Sequence, residues 1–189
     1  MPDLILASQS PRRKSLLEQI GITADKIIAS KIDETPHKGE LPLPYVKRVA
    51  KEKAMFVAKE SSGNFILSAD TTVACGRRIL PKAEDDKQVR QCLKLLSGRQ
   101  HSVITSVCLI MPDGQTSQKT VATKVKFKHL SVVEFADYIK SGEGVGKAGG
   151  YAIQGLAGAF VKSLNGSYSA VVGLPLMEVK NMLTGGGYE

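Results

Sequence analysis

Apolar positions near the N-terminus are grouped in a way that predicts a strand, a helix and a second strand. The short apolar run Asp3–Ala7 is typical of a buried strand. Ser10 followed by Pro11 suits the N-cap and first position of a helix, which Gly21 would end. A second apolar run, Ile27–Ile32, predicts another strand. The chain is therefore expected to begin with a strand–helix–strand unit.

Helical spacing returns in the middle of the chain. Tyr45–Glu60 carries its apolar side chains on one side, and Asp85–Leu96 shows the same periodicity. Between these two helices, Phe65–Leu67 and Thr71–Ala74 are predicted as strand, and Gly76-Arg77 as a tight turn.

The strongest local pattern is a hairpin. His101–Met111 and Gln115–Phe127 alternate between apolar and polar residues on either side of the turn sequence Pro112-Asp113-Gly114. Further along, the sequence predicts a helix, a strand and a last helix, at Val132–Ile139, at Phe160–Leu164 and after Pro175. Long hairpin strands combined with strand–helix alternation favour an α/β fold with a mixed sheet and flanking helices. The length of 189 residues is enough for one substantial core, or for two lobes that share one sheet, and we expect a single domain over residues 1–189.

Composition narrows the class of protein. Apolar residues make up 42% and charged residues 23% of the chain, as in ordinary globular proteins. The apolar runs are too short for a membrane span, and the first residues do not resemble a secretory signal. Three cysteines at wide spacing, with no C-x-x-C pair, are typical of thiols in a reducing compartment. We therefore expect a cytoplasmic protein without a membrane partner.

The net charge of +8 leaves two interpretations open. Scattered lysines can simply solvate the surface, or they can attract an anionic partner such as a polyphosphate or a nucleic acid. Proteins that bind single strands or RNA usually present aromatic stacking platforms. With no tryptophan and 5% aromatic residues, this chain is not expected to form a stable nucleic-acid complex.

The turn Ser8-Gln9-Ser10-Pro11-Arg12-Arg13 is the first candidate for chemistry. It joins the first strand to a helix N-terminus, where unpaired N–H groups and the helix dipole attract anions. Serine hydroxyls and arginine guanidinium groups add donors for phosphate oxygens. An ordinary Ser-Pro cap would explain Ser10 and Pro11, but not two cations in a first turn where the dipole disfavours them. The turn therefore predicts a phosphate-binding site.

Acidic residues follow two of the apolar runs. Asp70 lies after Phe65–Ala69, and Asp33-Glu34 follows the predicted second strand. Carboxylates at strand ends can hold a divalent metal or accept a proton from water. Asp70 could equally be an Asx turn or a helix cap. Lys53 and Lys82, taken alone, are by default solvated helix and loop lysines.

The glycine-rich stretch Gly142–Gly158 is the one unusual segment. It contains a literal G-x-G-x-x-G at Gly144–Gly149, but no apolar strand precedes it, so a dinucleotide-binding turn is not expected. No P-loop motif occurs. The stretch is interpreted as a hinge or as backbone that approaches a ligand closely.

Seven blocks of sequence, taken in order, resemble the Maf family of nucleoside triphosphate pyrophosphatases. They are Leu6-Ala7-Ser8-Gln9-Ser10-Pro11-Arg12-Arg13, Asp33-Glu34, Lys53-Ala54, Ala69-Asp70-Thr71, Leu96-Ser97-Gly98-Arg99-Gln100-His101, Ala148-Gly149-Gly150-Tyr151-Ala152-Ile153-Gln154-Gly155, and Asn165-Gly166-Ser167-Tyr168 with Val172-Gly173-Leu174-Pro175. Several ordered blocks are more specific than any single motif.

The resemblance implies a two-lobed fold similar to that of inosine triphosphate pyrophosphatases, with the active cleft between the lobes. It implies cleavage between the α and β phosphates with a divalent metal, Mg²⁺ or Mn²⁺, and suggests a homodimer. By position, Asp70 would be the general base and, with Glu34, would hold the metal. The residues that would surround the triphosphate are Ser8, Ser10, Arg12, Arg13, Lys53 and Lys82.

Three positions serve in the resemblance as markers of base preference. Arg12, Thr71 and Gln154 form the combination of the branch that prefers dTTP and UTP. A glutamine amide offers a donor and an acceptor that match O4 and N3–H of thymine or uracil. Gln154 could instead be a loop amide bonded to local backbone. Modified pyrimidine triphosphates are further candidate substrates, and a nucleotide-binding regulator of cell division is the alternative function.

The chain departs from the family pattern at two places. Pro81-Lys82-Ala83 stands where Gly-Lys-Pro is usual, so the loop that carries Lys82 is expected to differ in shape. Before Lys147, the family tends to have an acidic residue where this chain has Val145-Gly146. Any role of that carboxylate would fall to Glu143 or be absent.

Overall fold

Seven strands form one mixed sheet in the computed structural model, which describes residues 2–188. The strands are β1 (Leu4–Leu6), β2 (Lys26–Ile27), β3 (Phe65–Cys75), β4 (Arg78–Leu80), β5 (Gln100–Ile110), β6 (Thr116–Phe127) and β7 (Val161–Asn165). Their order is β2-β1-β3-β5-β6-β7, and β4 pairs with β3. β1 is parallel to both of its neighbours, and all other pairs are antiparallel. The expected α/β fold with a mixed sheet and flanking helices is confirmed.

The helices are α1 (Pro11–Gln19), α2 (Pro42–Ala58), α3 (Asp86–Leu96), α4 (Val132–Lys140), α5 (Tyr168–Val172) and α6 (Leu176–Gly185), with a 3₁₀ helix at Leu156–Phe160. Local sequence explains several helix starts. Asp85 caps α3 by accepting from the Gln88 N–H, and Ser131 with Glu134 forms a capping box on α4. Within residues 2–188, no helix combines the length and apolar character that crossing a bilayer requires.

Two large apolar clusters lie on the sheet. One joins β1 and the first half of β3 to α1 and α6, with Leu4, Leu17 and Leu183 fully buried. The other lies at the far end of β3 and packs α3 and α4 against Phe127 and Tyr151. Between these clusters one edge of β3 pairs first with β1 and then with β4, and an opening lies between the two pairings.

A gap in strand pairing exposes the middle of β3. β1 pairs with β3 only as far as Leu67, and β4 pairs with it only from Val73 onwards. On its other edge, β3 pairs with β5 throughout Ile66–Ala74. Residues 68–72 therefore have strand pairing on one edge alone, and the turn after β1 lies beside them.

Two sequence predictions near this gap are wrong. The second strand was expected over Ile27–Ile32, but β2 is only Lys26–Ile27. Its partner among the described strands is β1, which ends at Leu6, so residues 28–41 continue as a loop. Asp70 was expected at a strand end and instead lies inside β3, because β5 supports that strand along most of its length. Glu34 accordingly lies in the loop and not directly after a strand.

Candidate active site

A cleft of about 420 Å³ opens over the gap in β3, within the range of sites that hold small ligands. The first turn of α1, the middle of β3 and the segment from Gly146 to Gln154 form its walls. Eight of the ten residues singled out from the sequence line it, namely Ser10, Arg12, Arg13, Lys53, Asp70, Thr71, Lys82 and Gln154. Glu34 lies in an adjoining hollow that Asp70, Thr71 and Lys82 also line.

Arg13 is held rigidly at one wall of the cleft. Its Nε donates to the Gly173 carbonyl at 2.9 Å, and its Nη1 donates to Ser8 Oγ at 3.0 Å. The Nη2 atom lies 3.5 Å from Thr71 Oγ1. Burial lowers the pKa of the Arg13 guanidinium, and the charge of Asp70 offsets part of that effect. Ser8 is thus a buried hydrogen-bond partner of Arg13, and its expected place beside the triphosphate stays a prediction.

The N-terminus of α1 has the form that the sequence predicts, with one informative difference. Ser10 is the N-cap residue and Pro11 begins the helix, but the Ser10 side chain makes no cap hydrogen bond within residues 2–188. Ser10 is instead one of the residues that line the cleft. Arg12 also lines the cleft and has no hydrogen-bond or ion-pair partner in the described part of the chain. Both groups can therefore meet an anion.

A chain of alternating charges crosses the floor of the cleft. The Nζ atom of Lys53, on α2, lies 2.7 Å from Asp70 Oδ1 and 3.0 Å from Glu34 Oε1. Lys82 Nζ lies 2.8 Å from Glu34 Oε2. Lys53 and Asp70 are only 6% and 3% exposed. The default interpretation of Lys53 as a solvated helix lysine is therefore wrong.

Electrostatics keep Glu34 ionised. Burial alone would raise the pKa of its carboxyl, but the hydrogen bond from Lys82 and the charge of Lys53 outweigh that effect and leave the pKa below its usual value. A carboxylate that bridges two lysines from different elements also ties the loop of residues 28–41 to α2 and to the loop that carries Lys82.

Thr71 is fixed by a short hydrogen-bond relay. Its hydroxyl lies 2.9 Å from Thr105 Oγ1, which donates to the Ala170 carbonyl at 2.7 Å. Gln154, at another wall of the cleft, is exposed. Arg12, Thr71 and Gln154, the three residues associated with base preference, thus line one cleft.

The loop that carries Lys82 is hydrogen-bonded through its main chain to the glycine-rich segment. Lys82 forms an isolated antiparallel bridge with Ala148, and the Ala83 N–H donates to the Lys147 carbonyl at 3.1 Å. A proline at position 83 could not make that bond. Gly149 has φ +66°, and a Cβ atom there would come within 2.8 Å of Val73, so only glycine suits this close approach.

Glu143 is not available to the cleft. Its carboxylate accepts from the Leu156 N–H at 2.9 Å and so caps the 3₁₀ helix. It does not line the cleft. The substitute role considered for Glu143 therefore has no support in the geometry.

Sequence reasoning missed four residues around the site. Tyr45 donates its hydroxyl to the Glu34 carbonyl at 3.0 Å, and Arg48 binds the same loop. Lys147 and Tyr151 line the cleft, although both lie within or beside a family-like block that could have drawn attention to them. Tyr45 and Arg48 lie in a predicted helix but in none of the sequence motifs, so the sequence did not indicate a role at the site for either residue.

Two carboxylates, those of Glu34 and Asp70, lie close to one another in the cleft region and are the candidate metal ligands from the sequence. Within residues 2–188 there is no group of three or more His, Cys, Asp or Glu side chains suited to a cation. Glu34 and Asp70 nevertheless both contact one ammonium group, that of Lys53, so a cation already lies between them. Mg²⁺ sites built on nucleotides commonly use one or two carboxylates together with phosphate oxygens. The donor set fits a metal that is held jointly with a phosphate ligand.

The fold and the cleft define a mixed α/β protein whose cationic cleft surrounds a buried carboxylate. Residues 3–185 match the family described as Maf-like protein, and the chain belongs to that family. It is 56% identical over 188 residues to a dTTP/UTP pyrophosphatase of Paramagnetospirillum magneticum, covering 100% of this chain and 99% of the relative. The resemblance inferred from the sequence motifs is confirmed.

Other relatives of similar identity carry the same name. A dTTP/UTP pyrophosphatase of Caulobacter vibrioides is 56% identical over 187 residues, covering 99% of this chain and 97% of the relative. Such relatives confirm that the chain is an enzyme, a hydrolase of phosphoanhydride bonds. Among solved structures, a dITP/XTP pyrophosphatase from Mycobacterium abscessus aligns with a TM-score of 0.46 at 19% identity, over 66% of this chain and 72% of that one.

Proposed function

We propose that this protein hydrolyses dTTP and UTP to the nucleoside monophosphate and pyrophosphate, with a divalent metal. The observation that carries the proposal is Asp70, a buried carboxylate on the open edge of β3 at the floor of a cleft lined by cations. The names of the relatives, dTTP/UTP pyrophosphatase, point to the same reaction.

Asp70 is the general base in this proposal. Its Oδ1 atom, which Lys53 binds here, is the oxygen that would face the metal once the lysine leaves, so Oδ2 is the atom that takes a proton from water. The water oxygen attacks the α-phosphorus, the bond from that phosphorus to the bridging oxygen breaks, and pyrophosphate leaves with the electron pair. A dTTP molecule thus yields thymidine monophosphate and pyrophosphate, with one water consumed.

The cations around the cleft bind the triphosphate. Arg13 is fixed by Ser8, Gly173 and Thr71, so little ordering is needed when a phosphate oxygen binds it. Arg12, with Ser10 beside it, supplies donors at the N-terminus of α1. Lys53 and Lys82, which now pair with carboxylates, turn to phosphate oxygens when the nucleotide enters.

Glu34 and Asp70 would hold the metal, since both already contact the Lys53 ammonium group. When bound with the nucleotide, a divalent cation supplies charge stabilisation for the departing pyrophosphate. The lysine must leave the two carboxylates for this to happen, which links metal binding to phosphate binding.

The base is recognised at Gln154, Thr71 and Arg12. The Gln154 amide can donate to O4 and accept from N3–H of uracil or thymine. Modified pyrimidine triphosphates that keep these two groups are substrates on the same grounds.

The proposal is tested by measuring pyrophosphate release from dTTP, UTP, CTP and GTP with Mg²⁺, with Mn²⁺ and with EDTA. We expect release from dTTP and UTP well above that from CTP and GTP, and none with EDTA. Tight nucleotide binding without turnover would support the regulator of cell division instead. Release that EDTA leaves unchanged would refute the metal requirement.

A further inference from the structure

Glu34 bridges two lysines but lies on a loop without regular secondary structure. This Glu34 loop, residues 28–41, runs from the end of β2 to Pro42, the first residue of α2. A carboxylate on such a loop needs anchors if it is to meet Lys53 and Lys82 together. Two side chains from the first turns of α2 provide them.

The first anchor is Arg48. Its Nε and Nη2 atoms donate to the two carboxylate oxygens of Glu40, at 2.8 and 2.7 Å, in a fork-to-fork pair. Nη2 also donates to the Thr35 carbonyl at 3.2 Å, one residue from Glu34. Nη1 binds Glu52 on the same helix at 3.0 Å, which fixes the guanidinium orientation.

Glu40 links Arg48 to the main chain of the loop. Its Oε2 atom accepts from the His37 N–H at 2.9 Å, so one carboxylate closes the turn of residues 37–40 and binds Arg48. The Glu40 side chain is 9% exposed. The hydrogen bond from Arg48 is the main cause that lowers the pKa of this carboxyl to about 2, so Glu40 is ionised at neutral pH.

The second anchor is Tyr45, which is buried and donates its hydroxyl to the main-chain carbonyl of Glu34 at 3.0 Å. The Arg48 guanidinium lies 5.7 Å from the centre of the Tyr45 ring, so the two anchors support each other. Arg48 itself does not line the cleft. It therefore has no contact with a substrate held there.

We propose that Arg48 and Tyr45 are positioning residues that clamp the Glu34 loop to α2 and so set the Glu34 carboxylate between Lys53 and Lys82. This inference rests on the proposed function for its effect on catalysis. The clamp explains how a loop without strand or helix keeps the Glu34 carboxylate in place beside β3. Without the clamp the Glu34 carboxylate is free to move, and a misplacement of about 1 Å at a catalytic group costs up to about a hundredfold in rate.

Hydrogen–deuterium exchange tests the clamp without any need for turnover. Arg48→Met removes the fork and the Thr35 contact, and Lys51→Met removes an exposed cation from the same helix as the control. We expect amide exchange in residues 28–41 to become roughly fivefold or more faster in Arg48→Met and to stay at the wild-type rate in Lys51→Met. Unchanged exchange in the loop of the Arg48→Met protein would overturn the proposal.

A double-mutant cycle tests whether Arg48 acts through Glu34. Arg48→Met is expected to lower kcat about tenfold with a smaller change in the KM for dTTP, and Arg48→Lys to recover part of the loss. Tyr45→Phe should cost about threefold, since it removes one hydrogen bond. In the Glu34→Gln background, Arg48→Met should change kcat by less than about twofold.

A full tenfold loss in that background would show that Arg48 acts independently of Glu34 and would overturn the proposal. If the wild-type protein releases no pyrophosphate at all, the proposed function fails. The hydrogen–deuterium exchange experiment still tests the clamp in that case. Failure of the clamp proposal and failure of the proposed function can therefore be told apart.

Discussion

Lys53 Nζ lies 2.7 Å from Asp70 Oδ1, so the proposed base is ion-paired with a lysine from the helix that covers it. Both side chains are buried at the floor of the cleft, and Glu34 lies 3.0 Å from the same ammonium group. One lysine therefore contacts both carboxylates that are proposed to bind the metal, and Lys82 pairs with Glu34 as well.

Replacement of Lys53 should create a metal site that does not need nucleotide. Lys53→Met leaves Asp70 and Glu34 close together without their shared cation, and a divalent ion can take its position. We expect Mn²⁺ binding, measured by electron paramagnetic resonance without nucleotide, to be about tenfold or more tighter than in wild type. Mn²⁺ should also raise the melting temperature of the variant, because a ligand that binds the folded state stabilises it.

Lys51→Met is the matched control, since it removes an exposed lysine from the same helix. Its affinity for Mn²⁺ should equal that of wild type. If Lys53→Met binds Mn²⁺ no better than this control, Lys53 is not the group that keeps a metal from Glu34 and Asp70 when nucleotide is absent.

Gln154 should govern the choice of base with little effect on stability. Its side chain is exposed at the wall of the cleft, so Gln154→Leu is expected to change the free energy of unfolding by less than about 0.5 kcal/mol. The kcat/KM for dTTP should fall by about ten- to a hundredfold, because the polar groups of the base lose their partner. Steady-state kinetics with dTTP and UTP provide the measurement.

Gln115→Leu, which replaces an exposed glutamine at the hairpin turn, should leave these kinetics unchanged. Equal rates in wild type and Gln154→Leu would remove Gln154 from base recognition.

His101 should make stability depend on pH. It is 2% exposed, and burial lowers its pKa to about 4. Between about pH 6.5 and pH 4 the unfolded chain takes up a proton that the folded protein refuses, so stability falls as the pH falls. The slope is about 1.4 kcal/mol per pH unit, and the loss reaches about 3 kcal/mol at pH 4.

Urea unfolding at several pH values measures this slope. His101→Phe keeps the ring packing against Phe127 and should remove this contribution, at the expense of the hydrogen bond to Tyr151. His37→Gln, at an exposed position, should keep the wild-type slope. A His101→Phe protein with the wild-type slope would show that another group is responsible.

Local rules predicted much of the fold. The β5–β6 hairpin and α3 depend on residues close in sequence, and both form where the pattern indicated, except that Asp85 caps α3 and the helix begins at Asp86. The second strand was predicted too long, since its end depends on where β1 stops and not on its own residues. A propensity pattern contains no information on that partner.

The candidate site was predicted as a set of residues, but its arrangement was not. Glu34 and Lys82 are 48 positions apart, and neither residue's neighbours indicate that they pair. The clamp from Arg48 to Glu40 joins a helix to a loop whose path is set by tertiary contacts. These links arise only when the gap in β3 brings α2, the Glu34 loop and the Lys82 loop together.

The central claim is that Asp70 activates water for cleavage between the α and β phosphates of dTTP or UTP. The most direct test follows dTTP and its products by ³¹P NMR for wild type and for Asp70→Asn, in the presence of Mg²⁺. The substituted amide keeps the shape of the side chain but cannot accept the proton, so we expect a rate loss of about a hundredfold or more. Wild type should give thymidine monophosphate and pyrophosphate alone. Orthophosphate with thymidine diphosphate, or an Asp70→Asn protein as fast as wild type, would contradict the account.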